Sequence, residues 1–155
     1  MNASHWINKL GLHPHPEGGY YRETYRAALH VQAHGGTRSA STSIYFLLES
    51  DHFSALHRIK SDEVWHFYAG APLSIVMIHA GGRTETKVIG DGGFQAVVPA
   101  GCWFGARVEQ RNAYALAGCT VAPGFDFADF EMGTRTGLIS RYPQHEDIIR
   151  ALTHP

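Results

Sequence analysis

The chain has 155 residues, 44% of them hydrophobic and 17% charged, with a formal net charge of −1. That size and composition predict a single folded domain over residues 1–155, with a core that needs no disulfide or metal staple. The balanced charge leaves no electrostatic footprint for nucleic acid or an anionic membrane, and no run of about 18 apolar residues offers a membrane span.

The N-terminus MNASHWINKLGLHPH has no charged start followed by an apolar stretch, so it does not read as a secretory signal. A cytoplasmic location is expected, with Cys102 and Cys119 as free thiols packed like small hydrophobes rather than as a disulfide or zinc pair. Ser4 is placed to cap a short amphipathic helix, with Trp6, Ile7 and Leu10 on one side and Gly11 as its stop. HPHPEGG then excludes regular structure and permits a turn. Strand-like runs follow: YYRETYR, TSIYFLLE, EVWHFYA, LSIVMIHA, TETKVI, QAVV and YALAGCTV. Turn-rich separators such as AHGGT, AGAP and GDGG lie between them, and LSIVMIHA–GG–RTETKVI reads as a hairpin. No helical period occurs between residues 20 and 140. Only the tail PQHEDIIRALTH changes period, with Pro143 at a helix start and Ile148, Ile149 and Leu152 on one side. Many short strands with a small helix at each end predict an all-β sandwich or barrel.

Eleven histidines invite a metal reading, but His5, His13, His15, His145 and His154 lie near the chain ends in polar, proline-rich company, where solvent exposure is expected. The stretch HRIKSDEVWHFYAG is more informative. Alternation along FSALHRI puts Phe53, Ala55, His57 and Ile59 on one face, and that mostly apolar face reads as interior. In EVWHFYA the same rule groups Glu63, Trp65 and Phe67 and turns His66 the other way. His57 and Glu63 are therefore expected to face each other inside, with His66 outside.

These residues carry a resemblance. His57, Glu63 and Gly70 are similar in spacing to the first motif of the cupin superfamily, and Gly93, Pro99 and Gly101 to the start of the second. The wider pattern resembles one branch of small single-domain cupins, long known only as a domain of unknown function, through HPEGGYYRETYR, SIYFLL, HRIKSDEVWHFYAG, VVPAGCWFGA and CTVAPGFDFADFE. The resemblance implies an antiparallel jelly-roll barrel with short terminal helices, a barrel pocket for a small molecule, and a homodimer. Cupin metal sites use two histidines and a glutamate from the first motif and a histidine from the second. Here Ile59 stands at the second histidine position, Phe104 at the third and Val108 at the final asparagine position. Two surviving donors fall short of the three protein ligands that a catalytic metal ordinarily takes, so no cofactor is expected.

The leading expectation is a pocket for a small polar metabolite, with metal-independent acid–base chemistry of the isomerase or epimerase type. The resemblance extends, more distantly, to metal-free dTDP-sugar epimerases with a histidine base and a tyrosine acid. His57 is expected to move the proton, with Glu63 as its orienting partner. Trp65 and Phe104 are expected to wall the pocket, with Glu23 and Tyr45 against the ligand and Tyr21, Tyr25 or Tyr45 as the tyrosine acid. Two alternatives stay open: a metal-dependent dioxygenase or hydrolase using His57 and Glu63, joined by His66 only where a bulge reverses the strand's parity, and a non-catalytic binding or sensor module.

Overall fold

The computed structural model describes residues 1–155. Helix α1 (Ala3–Leu10) leads into strands β1 (His13–Pro14), β2 (Tyr20–Arg26), β3 (His30–Ala33), β4 (Gly36–Ser39), β5 (Thr42–Glu49), β6 (Phe53–Arg58) and β7 (Asp62–Gly70). The chain continues through β8 (Leu73–Ile78), β9 (Thr84–Ile89), β10 (Gln95–Val98), β11 (Trp103–Val108), β12 (Tyr114–Ala122) and β13 (Glu131–Met132), and closes with helices α2 (Arg135–Arg141) and α3 (Glu146–Ala151). One sheet runs β1-β2-β5-β12-β7-β10 and the other β13-β6-β11-β8-β9, with every pairing antiparallel. The jelly roll is thus two facing sheets, and hydrogen bonding does not close them into a continuous barrel.

The core lies between them: Phe46, Trp65 and Ala117 of the first sheet meet Leu73, Ile75, Met77 and Phe104 of the second. Strand β8 is buried at all six positions because its other face is also covered. Val76 and Ile78 pack there with Leu138, Tyr142, Ile149 and Leu152 from the C-terminal segment. Helix α1 covers part of the outer face of the first sheet, with Leu12 packed against Leu47 and Leu116.

Several expectations need correction. The α1 cap is Asn2, whose carbonyl accepts the His5 N–H at 2.9 Å, rather than Ser4. The tail is not one helix: α2 arises before it, capped by Thr134, and Pro143 opens a short 3-10 turn ahead of α3. RTGLISR spans only two turns, too short for a helical period to show. AHGGT forms the tip of an unforeseen hairpin, β3–β4, with His34 and Gly35 both at positive φ.

The most consequential departure is a bulge in β6. Phe104 pairs with His57 and Ala106 with Ser54, so three steps on β6 oppose two on β11. The bulge breaks the expected alternation. Phe53 packs toward the helices, while Ser54 and His57 reach the same carboxylate. Gly105, opposite the bulge, has no room for a side chain, since a Cβ there would sit 2.6 Å from the Ser54 carbonyl oxygen. The HPEGG turn packs onto the same strand, with the Ala55 N–H donating to the Glu17 carbonyl at 2.8 Å. Gly18 has φ +111°, and a Cβ on it would overlap the Phe53 carbonyl oxygen. Gly18→Ala is therefore expected to destabilise the fold by about 2–4 kcal/mol, read from the midpoint of urea unfolding. An unchanged midpoint would show that the turn does not press on β6.

Candidate functional site

A cavity of about 450 Å³ opens between the sheets. The HPEGG turn contributes His15 and Glu17, β2 gives Tyr21, Glu23 and Arg26, and β6, β7 and β12 give His57, Glu63 and Cys119. The segment after β12 adds Phe125, Asp126, Phe127 and Phe130. Arg38 anchors this last segment by gripping the buried Asp129 carboxylate with two bonds of 2.8 Å, which hold that carboxyl below its usual range.

His57 is 3% exposed and packed between a tilted Phe104 ring (centroids 4.1 Å apart) and a stacked Phe130 ring (5.3 Å). Its Nδ1 lies 2.7 Å from the Ala55 carbonyl oxygen, which can only accept, so Nδ1 carries a proton. Its Nε2 lies 3.2 Å from Glu17 Oε2, which also accepts the Ser54 hydroxyl. An imidazole nitrogen and a carboxylate oxygen at that distance are held together by one shared proton. His15 completes the group. Its Nδ1 accepts the Glu17 backbone N–H at 3.1 Å and lies 3.3 Å from Glu17 Oε1. One nitrogen does not accept from the amide and donate to the carboxylate at once. Burial, the largest influence, lowers the His15 pKa against the raising effect of Glu17, so His15 is a neutral imidazole and no ion pair forms.

Glu63 is 8% exposed and stands apart from this pair. Its Oε2 accepts the Trp65 indole N–H at 2.9 Å. Burial, with the Glu17 carboxyl nearby, pushes its pKa up to about 8, against the opposing effect of the indole bond. Glu63 is therefore a neutral acid at pH 7. With Oε2 occupied by the indole, its proton sits on Oε1, which has no partner within the chain, and the side chain borders the cavity.

The expected site residues thus divide. His57 and Glu63 share the cavity but are not bonded to each other; the partner of His57 is Glu17 and that of Glu63 is Trp65. Trp65 and Phe104 support the two groups from behind and do not line the cavity. Glu23 does line it, in an ion pair with Arg26 at 2.6 Å. Tyr45 lies on the outer face of the first sheet against Tyr68, Tyr25 is 55% exposed, and Tyr21 alone of the three candidate tyrosines borders the cavity. His66 points outward as expected, bonded to Thr120 and Gln95. Cys119 is free and buried, and burial holds its thiol far above the ordinary range, which makes it an inert wall.

The donor set does not fit a cupin metal. Ile59 and Phe104 fill two ligand positions with hydrocarbon, the latter against the His57 ring. Both His57 nitrogens are committed to Ala55 and Glu17 and His15 Nδ1 to the Glu17 amide, so the His15–Glu17–His57 group is not disposed to hold a metal ion.

His15 and Glu17 are what the sequence reading misses. Proximity to the N-terminus suggests solvent, yet the side chain of His15 is only 5% exposed and that of Glu17 8%. Their signal is the Gly pair after Glu17, whose positive φ values fold the turn back onto β6 and β5. His5 and His145 are likewise half-buried.

The family model described as Cupin superfamily (DUF985) matches residues 4–133. The uncharacterized protein YML079W of Saccharomyces cerevisiae is 29% identical over 142 residues, covering 79% of this chain and 71% of that protein. Among solved structures, a hypothetical protein from Leishmania major superposes with a TM-score of 0.95 at 37% identity, covering 100% of both chains. Protein SO0799 from Shewanella oneidensis gives 0.91 at 40% identity, covering 100% of this chain and 99% of that one. The oxalate decarboxylase of Bacillus subtilis, a protein with Mn(II) centres, gives 0.57 at 14% identity, covering 91% of this chain and 37% of that one. At that identity the likeness is one of fold alone.

The raised pKa of Glu63 has a signed consequence for stability. Between about pH 4.5 and 8 the folded chain keeps a proton that the unfolded chain has released. Stability therefore falls as pH rises through that window, by up to about 1.4 kcal/mol per pH unit. Glu63→Gln keeps the shape of the neutral acid and is expected to lose that slope and to be more stable than the parent at pH 8, as measured by urea unfolding at a series of pH values. Parallel curves for the two proteins would contradict this.

Proposed function

This chain belongs to the cupin superfamily, in its DUF985 family, and from that premise we propose that the cavity binds a small polar metabolite and catalyses a metal-independent proton transfer on it, of the isomerase or epimerase type. The observation that supports this reading is the pairing of two unlike proton sites in one water-poor cavity. Glu63 holds a proton on an unpartnered oxygen, and Glu17 and His57 hold one between them.

The chemistry follows from these states. Glu17 Oε1, which receives no hydrogen bond, takes a proton from a substrate carbon beside a carbonyl group while the shared proton rests on His57 Nε2. The C–H electron pair shifts toward the carbonyl oxygen, which receives the Glu63 proton. Return of a proton to the neighbouring carbon, or to the opposite face of the same carbon, with reprotonation of Glu63, completes an isomerisation or an epimerisation with no net change in protons. Burial favours such a transfer because the acid is already neutral and the base is already oriented. The Ala55 carbonyl fixes the His57 tautomer, and Ser54 anchors Glu17.

The test is proton exchange. The small molecule that co-purifies with the protein, identified by mass spectrometry, is incubated in D₂O with the parent protein, Glu63→Gln and His57→Ala. The parent is expected to wash deuterium into the molecule and to keep doing so after chelator treatment. Each variant should be slower by about 10²–10⁴-fold, with Glu63→Gln still binding. Exchange at the parent rate by either variant would remove that residue from the mechanism, and binding without any exchange would make the protein a recognition module.

A further inference from the structure

The charges around the cavity point to a ligand class, on the premise that this cavity is the working site. Four carboxyl side chains border it: Glu17, Glu23, Glu63 and Asp126. The only guanidinium or ammonium group among its lining residues is Arg26. That cation is already spent, with Nε 3.2 Å and Nη2 2.6 Å from the two oxygens of Glu23, and Nη2 also 3.0 Å from the Phe125 carbonyl. His57 has both nitrogens engaged, and His15 is a neutral ring. No cationic group is left for a phosphate or a carboxylate: the neutral Glu63 acid offers one hydrogen bond without charge, and an anion entering here would have to pass the Asp126 carboxylate at the rim.

A cation meets the opposite conditions. Asp126 stands at the mouth, bound only to the backbone N–H of Ala128. Tyr21, Phe125, Phe127 and Phe130 supply aromatic surface, which attracts positive charge and repels negative. Deeper in, the Glu63 carboxyl is more than nine-tenths buried and its unpartnered oxygen carries a proton, so it serves a neutral acceptor atom elsewhere on the ligand, such as the carbonyl, and not the charged group itself. We infer that the cavity accepts a ligand bearing a positive charge, a protonated amine or amidine, and excludes phosphorylated and carboxylate-bearing molecules.

Three probes of one shape and different charge test this: cyclohexylammonium, cyclohexanol and cyclohexanecarboxylate, each titrated into the protein at pH 7 and followed by isothermal calorimetry and saturation-transfer NMR. The ammonium is expected to bind about tenfold or more tighter than the alcohol, and the carboxylate not at all. Asp126→Asn keeps the cap on Ala128, because Asn caps as well as Asp, and should cut ammonium affinity about three- to tenfold while leaving the alcohol unchanged. Equal or tighter binding of the carboxylate or the alcohol, binding of none of the three, or an ammonium affinity indifferent to Asp126→Asn would overturn the inference. The outcome is separable from the proton-transfer reading. Amine binding without deuterium exchange leaves this inference standing and removes the catalysis, whereas exchange on an anionic substrate does the reverse.

Discussion

One carboxylate, that of Glu17, ties the N-terminal turn to the middle of the second sheet. It receives the Ser54 hydroxyl and faces the His57 imidazole at 3.2 Å, and the two residues lie three positions apart on β6. A regular strand would send them to opposite faces. The extra residue of the bulge brings them to the same side, and Gly105 on the facing strand leaves it room. The backbone groups displaced by the bulge are satisfied elsewhere: the Leu56 N–H donates to the Leu152 carbonyl and the Leu56 carbonyl accepts the Gly133 N–H. The C-terminal segment thus holds open the irregularity on which the site depends.

With that contact in place, the proton states of the cavity follow from burial and neighbours. Glu63 has an indole N–H on one oxygen, another carboxyl nearby and little water, and so remains an acid up to about pH 8. His15 receives an amide proton and stays neutral. The aromatic rings behind these groups, Trp65 and Phe104, exclude water and fix side-chain direction without touching the cavity. The hydrocarbon at the two positions where cupins place histidines has a positive role too, because the Phe104 ring packs on His57 and confines it to one orientation.

Much of the fold was legible. The strands YYRETYR, TSIYFLLE, TETKVI and QAVV coincide with β2, β5, β9 and β10, because alternation and turn residues express local preferences directly. The inward turn of Glu63 and the outward turn of His66 were legible for the same reason, since β7 is regular over that stretch. What stayed hidden was non-local. The β6 bulge has no signal in its own residues, and the burial of Glu17 shows only in the glycine pair that follows it, since each depends on a strand or turn distant in sequence. The partnership of His57 with Glu17 rather than Glu63 is a consequence of both. Tyr45 was misjudged in another way: its alternation places it outside, opposite Phe46, but an aromatic in a strand gives no hint of which face is inner until the register is known.

The central claim is that Glu63 is a neutral acid beside a carboxylate–imidazole pair that shares a proton. The most direct measurement is a ¹³C NMR titration of the glutamate side-chain carboxyls, with the Glu63 resonance assigned by its loss in Glu63→Gln. The account predicts a resonance at the protonated position through pH 7 that moves only near pH 8. A Glu63 resonance that completes its titration near the ordinary carboxylate pKa, about 4.3, would contradict it.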